Sequence, residues 1–295
     1  MAMIKKLLKS LLRIVILVIV LGFVVGTGCI NTIMFHPEFA RDGYDEKSPG
    51  YVDIGTNGVR IAAVVRGPER GKKALIRCHG NAEDMMGTLW ALEDLAEEGY
   101  TVAAVDYPGY GLSDGSPTEE GCYRNVHRLY DWLVDTRGFK PEDIIVDGFS
   151  IGSGPATELA ATKPVGGLIL EAPFLSAPRV VTRIRLLPID PFPNLKRIVD
   201  VKCPVLIMHG TKDNVIPFSQ GKELFELANE PKRFVPVMSN DHNLLPNHYG
   251  ENRYRELIAD FMENGIKLLP ISLGENRYRE LIADFMENGI KEERK

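Results

Sequence analysis

Eight short runs rich in valine and isoleucine alternate along this chain with longer stretches of helical spacing, and that alternation limits the fold more than any other feature. The spacing predicts strands at Tyr51–Ile54, Val59–Arg66, Lys73–Cys78, Thr101–Asp106, Ile144–Gly148, Gly167–Glu171, Val205–His209 and Arg233–Val237. They are bounded by Gly, Pro or Asp, as strands covered on both faces should be. Helices are expected near Ala82–Glu97, Thr118–Thr136, Ile151–Thr162 and Phe218–Ala228. Gly99 stops the first, Thr118 and Glu120 open the second, and Gly138 follows it. Strand and helix in turn imply an α/β architecture, a mostly parallel eight-stranded sheet with helices on both faces. In such sheets the chemistry belongs at the carboxyl ends of the strands.

Composition narrows the function classes. The 295 residues are 44% apolar and 25% charged, which excludes a disordered or collagen-like chain. With 35 basic against 40 acidic residues the net charge is −5, and no nucleic-acid partner is expected. Cys29, Cys78, Cys122 and Cys203 are too scattered for a disulfide framework or a CxxC site, so no bound metal is expected.

The apolar residues crowd the amino terminus. Ile14 to Ile30 carries no charge, and Lys5, Lys6, Lys9 and Arg13 precede it. The run is near the lower length for a membrane-spanning helix, and Arg13 can snorkel to the interface. The one-sided lysines place residues 1–13 in the cytoplasm and everything after about residue 31 on the exoplasmic side, periplasmic or extracellular. No small-x-small cleavage site follows, which favours an uncleaved single-pass anchor over a signal peptide. Val25-Gly26-Thr27-Gly28-Cys29 only faintly resembles a lipoprotein box, since Gly26 stands where a branched apolar residue belongs. The expected plan is a basic segment at 1–13, an anchor at 14–30, a linker at 31–50, the α/β domain at 51–267 and a carboxyl-terminal helix and tail at 268–295.

Gly148-Phe149-Ser150-Ile151-Gly152 joins a predicted strand to a predicted helix, the setting of a nucleophile elbow. Glycines on either side allow a strained turn that lifts the Ser150 hydroxyl clear of the sheet. A serine nucleophile needs a base, and the base needs an orienting acid. In the order Ser, acid, His, Asp213 follows the strand Val205–His209, and His242 follows the last strand. His248 is a rival base six residues on, nearer the next helix. Asp241, beside His242, reads as a turn or capping residue. Backbone amides of Ile151 and Asn81 are the expected oxyanion donors, the second from the loop Cys78-His79-Gly80-Asn81. His79, at a strand end, reads as a buried hydrogen-bonding residue.

At these residues the chain resembles the alpha/beta-hydrolase superfamily. The likeness runs from about Tyr51 to Lys267 through His79-Gly80-Asn81, Asp106-Tyr107-Pro108-Gly109-Tyr110-Gly111-Leu112-Ser113, Gly148–Gly152 and His209–Pro217. Together with the amino-terminal anchor, these motifs are similar to those of membrane-tethered hydrolases that include protein depalmitoylases and many bacterial esterases. The resemblance implies hydrolysis of an acyl ester or thioester through Ser150, His242 and Asp213 with no cofactor. Its substrate would be a small-molecule or lipid-linked acyl group. A serine aminopeptidase branch shares the motifs, which leaves a peptidase as the alternative. A catalytically silent binding protein on the same fold has no need of the complete triad.

Between Glu171 and Val205, Pro173, Pro178, Pro188, Pro191, Pro193 and Pro204 interrupt an apolar segment too short for a cap domain. It reads either as a short lid or as a connection packed on the core. Arg179, Arg183 and Arg185 read as a solvated face. Finally, Gly250–Lys267 and Gly274–Lys291 are identical over eighteen positions. Two copies are too few for a solenoid. Each is an amphipathic helix, with Tyr254, Leu257, Ile258, Phe261 and Met262 on the apolar face of the first. Docking the second copy instead would enlarge the closing loop at an extra cost of about 1 kcal/mol, so the first is expected to pack on the sheet.

Overall fold

A computed structural model describes residues 34–39, 43–182, 190–239, 241–243 and 245–266. In chain order the elements are β1 (Tyr51–Asp53), β2 (Ala62–Arg66), β3 (Ala74–Cys78), α1 (Glu93–Glu97), β4 (Thr101–Val105), α2 (Glu119–Asp135), β5 (Ile144–Phe149) and α3 (Ser153–Thr162). There follow β6 (Gly167–Glu171), α4 (Ala177–Thr182), α5 (Asn194–Arg197), β7 (Val205–Gly210), α6 (Phe218–Leu227), β8 (Lys232–Val237), α7 (Leu245–Tyr249) and α8 (Glu251–Asn264). The strands form one sheet in the order β1-β2-β4-β3-β5-β6-β7-β8. β1, β2 and β4 pair antiparallel, and every other neighbouring pair is parallel.

Local chemistry explains the edges of these elements. Thr56 bridges to Val59 around Asn57-Gly58, both at positive φ, a tight hairpin that delays β2 until Ala62. Parallel neighbours need long crossovers, and the helices supply them. α2 starts where Thr118 accepts the Gly121 amide at 3.0 Å. Along β5, Ile144 and Val146 face one core and Ile145 the other, the two-residue alternation of a strand. Leu129 of α2, Leu159 of α3 and Leu224 of α6 fill the first core; Leu95 of α1 and Leu257, Ile258 and Phe261 of α8 fill the second. The first copy of the repeat therefore packs on the sheet with Tyr254, Leu257, Ile258, Phe261 and Met262 buried.

One predicted element is corrected. The helix expected over Ala82–Glu97 is a loop, a single 3-10 turn at Gly87–Leu89 and the short α1. Asp84 Oδ1 takes the Met86 and Gly87 amides, and the distant Asp106 takes the Met85 amide, so side-chain carboxylates capture the donors a helix would have used. The anchor at 14–30 with its basic flank, Cys29, residues 183–189 of the proline-rich segment and the second repeat copy lie outside the described residues. Among the described residues no helix is long and apolar enough to cross a membrane.

Candidate active site

The nucleophile elbow begins with close packing. A Cβ on Gly148 would lie 2.5 Å from the Gly152 carbonyl oxygen, and one on Gly152 would lie 2.1 Å from that of Cys78. Only glycine lets the turn after β5 sit against the end of β3. Ser150 takes φ +53°, a conformation that costs an L-residue roughly 1–2 kcal/mol. Residues Ser150–Gly152 then form one 3-10 turn that leads into α3, with Ile151 at its second position.

The loops after β7 and β8 bring the acid and the histidine to Ser150. His242 Nε2 lies 2.8 Å from Ser150 Oγ, and its Nδ1 lies 2.7 Å from Asp213 Oδ2. Asp213 Oδ1 accepts the Val215 and Ile216 amides, each at 2.8 Å. Burial alone would raise the Asp213 pKa; the hydrogen bond from His242 and the two loop amides outweigh it and hold the carboxyl below its ordinary value. An ionised Asp213 only accepts, so His242 donates from Nδ1 and its Nε2 accepts the serine proton. Asp241 instead joins its own turn, its Oδ1 accepting the Asn243 amide at 2.8 Å. His248 lies in α7, the helix that follows this loop.

A second histidine stands behind the acid. His209 Nε2 is 3.7 Å from Asp213 Oδ2 but donates to the Ile216 carbonyl at 3.0 Å. Burial lowers its pKa to about 4, so it remains neutral and does not compete with His242 for the carboxylate charge.

The His79-Gly80-Asn81 loop lies across the elbow. His79 Nδ1 donates to the Gly80 carbonyl at 2.8 Å. In a trans peptide the N–H points opposite to the C=O, so this bond also sets the direction of the Asn81 amide. The Gly80 amide is taken by Glu83 Oε1 at 2.6 Å, whereas the Asn81 amide has no acceptor among the described residues. His79 is wholly buried, stacked 3.9 Å from the Tyr107 ring, and burial lowers its pKa to about 4. It is a buried hydrogen-bonding residue, as its position at the strand end implies.

Beneath both loops is a charge cluster that sequence reasoning missed. Arg77 Nη1 donates to Asp147 Oδ2 and to Glu171 Oε1, both at 2.6 Å. Its Nε donates to Thr88, whose hydroxyl donates to Glu83 at 3.2 Å, the carboxylate that holds Gly80. Tyr254 of α8 adds a hydrogen bond to Glu171 at 2.6 Å. The Arg77 guanidinium also lies 5.6 Å under the Phe149 ring, and Phe149 lies 5.3 Å from the His242 ring. The available signal was a charged residue inside each of three apolar strands. No group of metal-ligating side chains large enough to hold an ion occurs among the described residues.

The fold is recognisable in other proteins. A family model described as the alpha/beta hydrolase fold matches residues 73–185. The human alpha/beta hydrolase domain-containing protein 17B is 36% identical over 192 residues, 64% of this chain and 67% of that protein. A putative alpha/beta hydrolase, L404, of Acanthamoeba polyphaga mimivirus is 32% identical over 242 residues, 78% of this chain and 92% of its own. Among solved structures, the Pyrococcus furiosus esterase Pf2001 superposes with a TM-score of 0.62 at 20% identity, over 76% of this chain and 96% of that one, a likeness of fold. Sheet order, elbow and relatives agree: the chain belongs to the alpha/beta-hydrolase superfamily.

Proposed function

We propose that this hydrolase is a serine enzyme that cleaves a carboxylic ester or thioester through an acyl-enzyme. One observation carries the reading: Ser150 Oγ, His242 and Asp213 form a continuous hydrogen-bonded line of 2.8 and 2.7 Å. Ser150 attacks the acyl carbon while His242 Nε2 takes its proton, and Asp213 stabilises the imidazolium that forms. The oxyanion of the tetrahedral intermediate meets the amides of Ile151 and Asn81. His242 then returns the proton to the leaving alcohol or thiol, and a water activated by the same nitrogen releases the acid. No cofactor enters this sequence. Solved neighbours described as esterases support an acyl ester over a peptide. The apolar run at 14–30 with its preceding lysines supports a single-pass anchor and an exoplasmic catalytic domain over 51–267, with the second repeat copy as an appended tail.

A fluorophosphonate probe tests the chemistry, because only an activated serine attacks it readily. The protein should be labelled, and Ser150→Ala should lose the label with its fold intact. Persistent labelling of that variant would sink the assignment. Beside it, p-nitrophenyl esters of increasing chain length and a panel of peptide amides separate esterase from peptidase.

A further inference from the structure

A segment that precedes the sheet reaches the active site. Phe35 is 3% exposed, and its ring packs edge-on against Phe192 at 6.1 Å. Phe192 is itself wholly buried between Phe174 and Tyr123, and a Cβ on Gly154 of α3 would meet its ring at 2.2 Å. Phe35 is thus wedged into the core beside α3, the helix that follows the Ser150 turn. The next residue, His36, shares its main-chain amide between Asn81 Oδ1 at 3.0 Å and Tyr110 Oη at 3.1 Å. Tyr110 Oη lies 3.0 Å from both the side-chain and the main-chain oxygen of Asn81 and gives its one proton to either.

We infer that Phe35 and the His36 amide form a clip that positions the oxyanion loop, so the segment before the first strand is a working part of the site. The inference rests on the proposed serine-hydrolase reading, in which Ser150 attacks and the Asn81 amide meets the oxyanion. His79 fixes the peptide on one side of that residue, and the loop beyond it has no regular structure until the 3-10 turn at Gly87–Leu89. The clip supplies the missing constraint, since it holds the Asn81 carboxamide from a segment outside the sheet. An oxyanion donor must sit within 2.7–3.1 Å of the developing charge, and a misplacement of about 1 Å costs on the order of 10²-fold in rate. Phe35 and the Asn81 side chain are therefore positioning residues: both act through the Asn81 amide.

A double-mutant cycle in the full chain, read with a p-nitrophenyl ester, tests this. Phe35→Ala should lower kcat about tenfold with KM within about twofold, and Phe35→Leu should restore most of the loss. Asn81→Ala, which keeps the main-chain amide, should lower kcat by a similar factor. The double variant should be no worse than the poorer single one, because both remove the same clip. Losses that multiply, or a wild-type kcat in Asn81→Ala, would overturn the inference. Tyr110→Phe, which keeps the ring in its packing, provides the same reading if Phe35→Ala does not fold: a several-fold loss of kcat supports the clip and an unchanged kcat counts against it. Failure of the parent reading looks different, since Ser150→Ala would then keep its esterase activity.

Discussion

Two buried neutral histidines stand behind the active site, His79 behind the oxyanion loop and His209 behind the acid, and their surroundings differ. His79 is stacked on Tyr107, lies 3.8 Å from Asp106 and supports a loop tied through Glu83 and Thr88 to the Arg77 cluster. His209 is confined sterically: a Cβ on Gly221 would meet its Nδ1 at 2.3 Å, and that nitrogen has no hydrogen-bond partner among the described residues. The proposed oxyanion side is thus tied by hydrogen bonds to a network of buried charges, whereas that network meets the acid–base side only through the Phe149 ring, and packing and two loop amides do the rest. A network of charges couples position to stability. Packing and short loops leave the reacting groups separable from the fold.

The sharpest way to test that contrast is on the acid–base side. His242→Ala should reduce kcat/KM by at least about 10³-fold, about 4 kcal/mol of transition-state stabilisation, with little change in the thermal midpoint. Asp213→Asn should cost a similar factor or somewhat less. Steady-state kinetics beside thermal melts would decide it, and a larger loss from His248→Ala would move the base to that residue.

The next effect belongs to the oxyanion side. Arg77→Met leaves Asp147 and Glu171 buried without their cation and should lower unfolding stability in urea by about 3 kcal/mol. Unchanged stability would erase the distinction between the two sides.

A smaller effect lies in pH. Burial pushes the Asp106 carboxyl up to about 7, above its unfolded value of roughly 3.9, so across that interval the folded state keeps a proton that the unfolded chain releases. Its contribution to stability is complete below about pH 4 and is lost as pH rises towards 7. His79 and His209 have the opposite sign. Held at about 4 in the fold against about 6.5 unfolded, they make stability rise with pH over that range. Asp106→Asn removes the falling contribution, so its stability should climb with pH more steeply than that of the wild type. Parallel denaturation curves from pH 4 to 7 would mean that Asp106 is ionised in the fold.

The least effect is expected at the carboxyl end. Truncation after Lys267 retains the copy whose Tyr254 bonds Glu171, and should change ester hydrolysis and the melting temperature little. A cut after Pro246, which removes that helix, should abolish both. Inactivation by the shorter truncation would make the second copy a working part.

Much of this molecule was legible in its sequence because strand signals are local. Gly167–Glu171 is reproduced without adjustment, and the other strands begin and end within three residues of their predicted bounds. The meeting of Ser150, Asp213 and His242 was anticipated from motif order, which encodes which strand end each residue follows. Besides the Arg77 cluster, two features were not legible. The Ala82–Glu97 helix fails in part because Asp106, 21 residues beyond Met85, takes that residue's amide. The clip fails for a similar reason: Phe35 and His36 lie in what reads as a linker, and their partners Phe192 and Asn81 are distant in the chain. Contacts made by a main-chain amide or a lone aromatic leave no periodicity behind.

The positive φ of Ser150 has a consequence beyond catalysis. The turn asks an L-residue to occupy a conformation that glycine takes without steric penalty, so the hydroxyl is kept against the local backbone preference. For a lineage released from the need to hydrolyse anything, drift from serine to glycine at this position relieves strain. On the role proposed for Ser150, loss of the nucleophile is conformationally downhill.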